Sequence, residues 1–149
     1  QDATKDVFDY LKEIVGDYLV EATPSMIIIR NNSGRRIVMQ FSNDPDIRID
    51  EHFEKDILPL VAIEIKGGED VSNIHNRVGE AEKSHQKARR QGYEKLWTII
   101  RVDIDYDALK KESPTTTKFF NIDKIQDVTN PEHNLFKNQL ASALSINIK

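Results

Sequence analysis

The sequence predicts an α/β fold, a central mixed β-sheet flanked by helices in a single domain. Three observations carry that expectation. Residues 60–66 (LVAIEIK) and 96–102 (LWTIIRV) are apolar runs separated by a stretch of helical composition, and a strand–helix–strand unit closes as a parallel pair through a right-handed crossover. Ahead of it, two short β-branched runs, Met26–Arg30 and 37–41, flank Asn31-Asn32-Ser33-Gly34, whose residues tolerate positive φ and favour an antiparallel hairpin. Finally, 149 residues suffice for one compact core and not for two.

Taken in order, residues 4 to about 20 read as an amphipathic helix. Val7, Leu11, Ile14, Val15 and Tyr18 recur on one side, with Asp6, Asp9, Glu13 and Asp17 on the other. Pro24 lies just past its end. After the hairpin, Asn43-Asp44-Pro45-Asp46 forms a turn into a short alternating strand at 47–50. The strand at 60–66 stops at Gly67-Gly68. A helix spans 76–91 and ends near Gly92, and 96–102 is a buried strand. Residues 103–117 are polar and irregular, 118–122 is a further strand, and a final helix runs over Pro131–Leu144.

Bulk composition removes several function classes. With 38% hydrophobic and 31% charged residues the chain is a soluble globular type, with no apolar run of the ~20 residues that span a bilayer and no opening signal pattern. There are no cysteines, so disulfides and thiolate metal sites are excluded, and any metal takes oxygen or histidine ligands. These features fit a cytoplasmic protein. A net charge of −4 argues against a chain that grips nucleic acid over its whole surface, not against basic groups gathered on one face. The first residue is Gln1 rather than Met, which is expected of a piece of a longer protein.

The chemistry concentrates at LVAIEIK. Side chains alternate along a strand, so Val61, Ile63 and Ile65 share one face while Ala62, Glu64 and Lys66 share the other. A carboxylate and an ammonium then point the same way beside Gly67-Gly68, where missing side chains let a large ligand approach the backbone. Asp46 opens a separate strand after Pro45. If the two strands pair, Asp46 and Glu64 converge on one cation, with the carbonyl of Ile65 as an extra ligand. Mg²⁺ needs only one or two carboxylates when substrate phosphate and water complete its octahedron, and Lys66 can orient the attacking water or offset developing charge. The tripeptide alone is weak: composition predicts about two (D/E)-x-K matches by chance, and Glu64-Ile65-Lys66 is the only one present. The bland reading is an ion pair on an edge strand.

Residues 61–88, VAIEIKGGEDVSNIHNRVGEAEKSHQKA, preceded by NDPDIRID at 43–50, resemble type II restriction endonucleases of the XcyI-like family and their PD-(D/E)xK core. The resemblance covers residues 43–101 most clearly, and its specific part is the run from Lys66 to Lys87. It implies a restriction-endonuclease-like fold and Mg²⁺-dependent cleavage of double-stranded DNA, with Mn²⁺ able to substitute. It also implies a homodimer on a palindromic site, CCCGGG in this group, with no membrane and no small-molecule cofactor. Carried over, Asp46, Glu64 and Lys66 are the catalytic residues, with Asp46, Glu64 and Ile65 holding the metal. Such enzymes often add a carboxylate from the first helix, for which Glu21 lies nearest the apolar face. The family's chains are longer than this one.

Ser72, Asn73, His75, Asn76 and Arg77 are expected on the substrate side, against phosphates or base edges. Their bland reading is a solvated loop capping the next helix. His75-Asn76-Arg77 is also the start of an HNH pattern, but its partner histidine would be His85, the wrong layout. Glu80, Lys83, Lys87 and Arg90 form one polar ridge, ordinarily a solvated helix face. Beside a nuclease site Lys87 and Arg90 would track the DNA backbone, and Glu80 and Lys83 would support the metal site. His52 and His133 read as surface residues, and Trp97, Tyr10, Tyr18 and Tyr93 as core or interface. Two rival functions stay open: a repair or junction-resolving nuclease with the same core, and a non-catalytic DNA- or protein-binding module that keeps the fold.

Overall fold

Asp2 opens the first helix, its carboxylate accepting the amide N–H groups of Thr4 and Lys5 at the start of α1 (Ala3–Ile14). The structure, a computed structural model, describes residues 2–149. Seven strands follow: β1 (Leu19–Thr23), β2 (Met26–Arg30), β3 (Arg36–Phe41), β4 (Ile47–Phe53), β5 (Asp56–Lys66), β6 (Lys95–Ile100) and β7 (Lys118–Asn121). They lie side by side in sequence order in one sheet. β1 to β5 pair antiparallel, while β5, β6 and β7 pair parallel, so the sheet is mixed as expected. The connection between β5 and β6 is α2 (Ile74–Arg90).

Helices cover both faces. α1 and α5 (Pro131–Leu144) pack on one, over a large core containing Val7, Phe8, Leu11, Ile47, Ile49, Val61, Ile63, Trp97 and Ile99. Trp97 meets Phe120 and Phe136 edge-on at centroid distances of 5.4 and 5.8 Å, the arrangement the ring quadrupoles favour. α2 covers the other face through two smaller clusters, one of Ala62, Ala88, Tyr93 and Leu96, the other of Ile74, Val78, Ile100, Val102 and Leu109. Among the described residues no helix is long and apolar enough to cross a membrane.

Several expectations about elements are corrected. The first helix stops at Ile14, not near residue 20, and a 3₁₀ turn over Gly16–Tyr18 leads into β1, which the helical periodicity had concealed. Glycine is unfavourable inside a helix, and β2 gains an antiparallel partner when residues 19–23 extend instead. β5 begins at Asp56, earlier than residue 60, because Pro59 sits next to a register shift opposite Ile49/Asp50, where a missing N–H is tolerated. The polar stretch after β6 contains α3 (Tyr106–Lys110), started by Asp105 accepting the N–H of Asp107. α4 (Ile122–Ile125) follows β7 directly. His133 is buried rather than superficial: its Nδ1 lies 2.8 Å from the carbonyl of Ile125, which also accepts from the hydroxyl of Tyr10 at 2.7 Å. His52 is half-buried.

Candidate active site

The pairing of β4 with β5 sets Ile47 opposite Ile63, so Asp46, one residue earlier, arrives beside Glu64. Backbone bonds then cross the gap in both directions. The N–H of Asp46 donates to Glu64 Oε2 at 3.0 Å, and the N–H of Ile65 donates to Asp46 Oδ2 at 2.8 Å. Each carboxylate is thus oriented by the other strand's main chain through one oxygen, and these bonds leave its second oxygen to the site. The alternation along β5 is as the sequence implies: Val61, Ile63 and Ile65 join the α1/α5 core, while Ala62 packs under α2. Glu64 lies on that α2 face, and Lys66 follows at the strand's last residue, half-buried.

Electrostatics mark the pair as strained toward protonation. Burial raises the proton affinity of Asp46 above the usual carboxylate range, against the Ile65 N–H and Lys66, which lower it, while Asp44 and Asp2 raise it further. Glu64 is pushed up to about 7, first by burial and then by the charge of Asp46, with Lys66 and the Ser84 hydroxyl pulling the other way. Two carboxylates driven together in a partly dry site make a good fit for a hard cation, which would reverse the repulsion between them. Among the described residues no three His, Cys, Asp or Glu side chains converge. A cation there would take Asp46, Glu64 and the carbonyl of Ile65, with phosphate and water for the remainder. The edge-strand reading does not apply: β5 is internal to the sheet, and Lys66 joins none of the ion pairs found among the described residues.

Gly67 and Gly68 do something other than open a path for a ligand. A side chain at Gly67 would coincide with the Cβ of Ala3, at the first turn of α1. A Cβ on Gly68 would stand 3.2 Å from Nε and 3.4 Å from Cζ of Arg77. Gly67 is therefore required by its packing against α1, while a side chain larger than alanine's at 68 would have to displace the Arg77 guanidinium.

The other expected residues are scattered. Glu21 is not on a helix but in β1, an exposed edge strand four strand spacings from β5, roughly 19 Å away, and takes no part in the site. Glu80 and Lys83 are exposed on α2, whereas Ser84 is the α2 side chain that reaches Glu64. Ser72 and Asn73 turn their side chains to Asp70. His75 pairs with Glu112 at 3.1 Å, and His85 is buried against Thr98, so the two histidines do not act together. Asn76 and Arg90 are exposed. Lys87 reaches Asp44 at 3.1 Å and so ties α2 to the turn that presents Asp46. Sequence reading missed Ser84, although its place beside Ala81, His85 and Ala88 on the buried stripe of α2 was a usable signal.

Behind Glu64 runs a buried polar network. Thr98, its neighbour on β6, contacts His85 Nε2 and Thr116 Oγ1, each at 2.8 Å. Glu82 accepts from Ser113, from the N–H and hydroxyl of Thr115, and from Gln86, which together hold its proton affinity down against burial. Burial lowers His85 from 6.5 to about 4, opposed by Glu82 and assisted by Lys66. The folded state therefore binds fewer protons than the unfolded one between those values, and stability falls as pH drops through that window. Glu64 acts oppositely: it shifts from 4.5 to about 7, so its contribution is present below the lower value and lost as pH rises. Each effect amounts to at most about 3 kcal/mol. Urea midpoints of the metal-free protein across this range should show Glu64→Gln steepening the loss on acidification and His85→Gln steepening the loss on alkalinisation. Parallel profiles for both variants would remove the assignment.

The family model of the XcyI restriction endonuclease matches residues 1–147, well beyond the 43–101 segment in which the resemblance is clearest. The chain is 42% identical over 142 residues to the type II restriction enzyme Cfr9I of Citrobacter freundii, covering 94% of this chain and 43% of that protein. It is 40% identical over 142 residues to the type II restriction enzyme XcyI of Xanthomonas campestris pv. cyanopsidis, with the same two coverages of 94% and 43%. The chain thus spans less than half the length of these curated relatives. No solved structure matches it by the same standard.

Proposed function

Because the chain belongs to the XcyI restriction endonuclease family, we propose that it forms the catalytic domain of a Mg²⁺-dependent type II restriction endonuclease that hydrolyses phosphodiester bonds in double-stranded DNA. One observation supports this reading above all: two buried carboxylates on adjacent strands, each braced by the other's main chain, with Lys66 two residues further on the same face. Asp46, Glu64 and the Ile65 carbonyl hold the cation, and Mn²⁺ can replace Mg²⁺. When bound, the cation polarises a phosphate oxygen and makes water more acidic. Lys66 extends its ammonium toward the reacting phosphate, orienting the attacking water and offsetting the charge that accumulates on the phosphate oxygens. Glu64 is nearly fully buried, and the Ser84 hydroxyl lowers its proton affinity, favouring the charged form that a cation needs.

The family resemblance further supports CCCGGG as the site, a homodimer matching its two-fold symmetry, and action in the bacterial cytoplasm. The test is digestion of a plasmid carrying one CCCGGG by the full-length protein, with Mg²⁺ or with EDTA. Linear product with ends at that hexamer, formed only with metal, is expected. Ends elsewhere would sink the site assignment, and an uncut plasmid under both conditions would sink the nuclease reading.

A further inference from the structure

Arg77 lies in the first turn of α2 and is exposed, yet its guanidinium is not loose. Its Nε and Cζ rest over Gly68, within 3.2 and 3.4 Å of where a Cβ would stand. Gly68 is two residues beyond Lys66 on the same chain. The guanidinium is thus seated just past the end of β5, the strand that carries Glu64 and Lys66. It joins none of the ion pairs found among the described residues. Its charge lowers the proton affinity of Asp70, but that carboxylate is engaged by the N–H and hydroxyl of Ser72 and by the amide of Asn73. The first turn of α2 contains no acidic residue to neutralise it.

An arginine that joins no ion pair among the described residues, and whose guanidinium is seated so closely over a glycine that a larger side chain there would displace it, is arranged for an external anion. A guanidinium fork suits phosphate oxygens, and its seat over Gly68, two residues past Lys66, points to an anion near the reacting group. We propose that Arg77, seated on Gly68, grips the DNA backbone phosphate next to the one that is cut and so sets the register of the scissile phosphate over Asp46 and Glu64. The inference rests on the nuclease reading and adds to it a positioning residue and the reason for a glycine at 68.

The experiment uses the full-length protein and a duplex carrying CCCGGG. Binding is followed in Ca²⁺, which supports no cleavage in this design, over a range of salt concentrations, and cleavage is followed in Mg²⁺. Arg77→Ala should flatten the plot of log affinity against log salt by about 0.9, the loss of one phosphate contact, and slow cleavage of saturating DNA by roughly 10-fold. Gly68→Val changes no charge but occupies the seat. It should slow cleavage to a similar degree in the native background and add little in the Arg77→Ala background, since both act through one contact. Arg77→Lys, which keeps charge without the fork, should fall between. An unchanged salt slope in Arg77→Ala, or losses from Gly68→Val and Arg77→Ala that simply multiply, would overturn the proposal while leaving the nuclease intact. A native protein that neither binds nor cuts the duplex would overturn the nuclease reading itself, and this one with it. Thermal midpoints of all variants within a few degrees of native exclude misfolding as the cause, and a large drop in Gly68→Val is met by Gly68→Ala, whose Cβ needs only a few tenths of an ångström from a flexible side chain.

Discussion

Lys66→Ala, Asp46→Asn and Glu64→Gln should each lower DNA cleavage by at least about 10³-fold while leaving duplex binding in Ca²⁺ within a few-fold of native. The choice of isosteres matters. Asp46 accepts the N–H of Ile65, and Glu64 accepts the N–H of Asp46, so truncation to alanine would leave two partly buried amides without acceptors and confuse lost chemistry with lost structure. Asparagine and glutamine keep one carbonyl oxygen for those bonds and remove only the charge needed for a divalent ion. Lys66 makes no ion pair among the described residues, so its removal breaks none of those bonds, and Lys66→Arg should fail as well because a planar fork cannot replace a compact ammonium. The same variants separate metal binding from catalysis. Mg²⁺ should raise the thermal midpoint of the native protein and of Lys66→Ala, but not of Asp46→Asn or Glu64→Gln. Cleavage surviving near the native rate in Glu64→Gln would mean that the pair is structural.

How much of this was legible depended on which physical signal each residue carried. β5 was readable because an apolar strand broken by Glu64 and Lys66 on one parity leaves a single consistent arrangement, and because Asp46 follows the turn that starts the neighbouring strand. The helix expected over Pro131–Leu144 has those bounds, with Asn130 accepting the N–H of Glu132 as its cap and proline at its start. β1 was not readable: residues 15–20 satisfy helical periodicity, and only the need of β2 for a partner decides the matter, a tertiary effect outside any local window. With that boundary went Glu21, which cannot reach a site it was supposed to serve from a helix. The glycines at 67 and 68 were correctly seen as points of close approach, but a sequence does not say what approaches, and the answer was Ala3 and Arg77. Lys87 and Ser84 show the same limit. One reads as a free cation yet holds Asp44, and the other reads as filler in a polar helix yet touches Glu64.

Asp50, on the strand that follows Asp46, has a fully buried carboxylate paired with a partly exposed arginine, and removing it should be the costliest single polar change. Asp50, fully buried on β4, accepts from Arg48 Nε at 2.8 Å and from the hydroxyl of Tyr93 at 2.5 Å. Tyr93 stands between α2 and β6, so Asp50 fastens β4 to the opposite layer. Burial, and then the bond to Asp50, hold the phenol of Tyr93 far from ionisation. Asp50→Ala strands that hydroxyl in the interior and leaves Arg48 without its carboxylate. The expected loss is about 3 kcal/mol, at the lower end for a broken buried pair because the side chain of Arg48 is 34% exposed and can turn toward water. For a domain of this size that lowers the thermal midpoint by roughly 10 °C. Tyr93→Phe removes one hydroxyl and should cost only about 1 kcal/mol, since Asp50 keeps its cation. Most of the loss in Asp50→Ala comes from uncompensated partners rather than from the strength of the pair, so Arg48→Met and Asp50→Leu combined with Tyr93→Phe should recover much of it. Losses that instead add in the combined variant would show the pair to be strongly favourable in itself. Either way, cleavage measured well below the lowered midpoint should stay near native, because the backbone bonds between Asp46, Glu64 and Ile65 hold the reacting groups independently of Asp50.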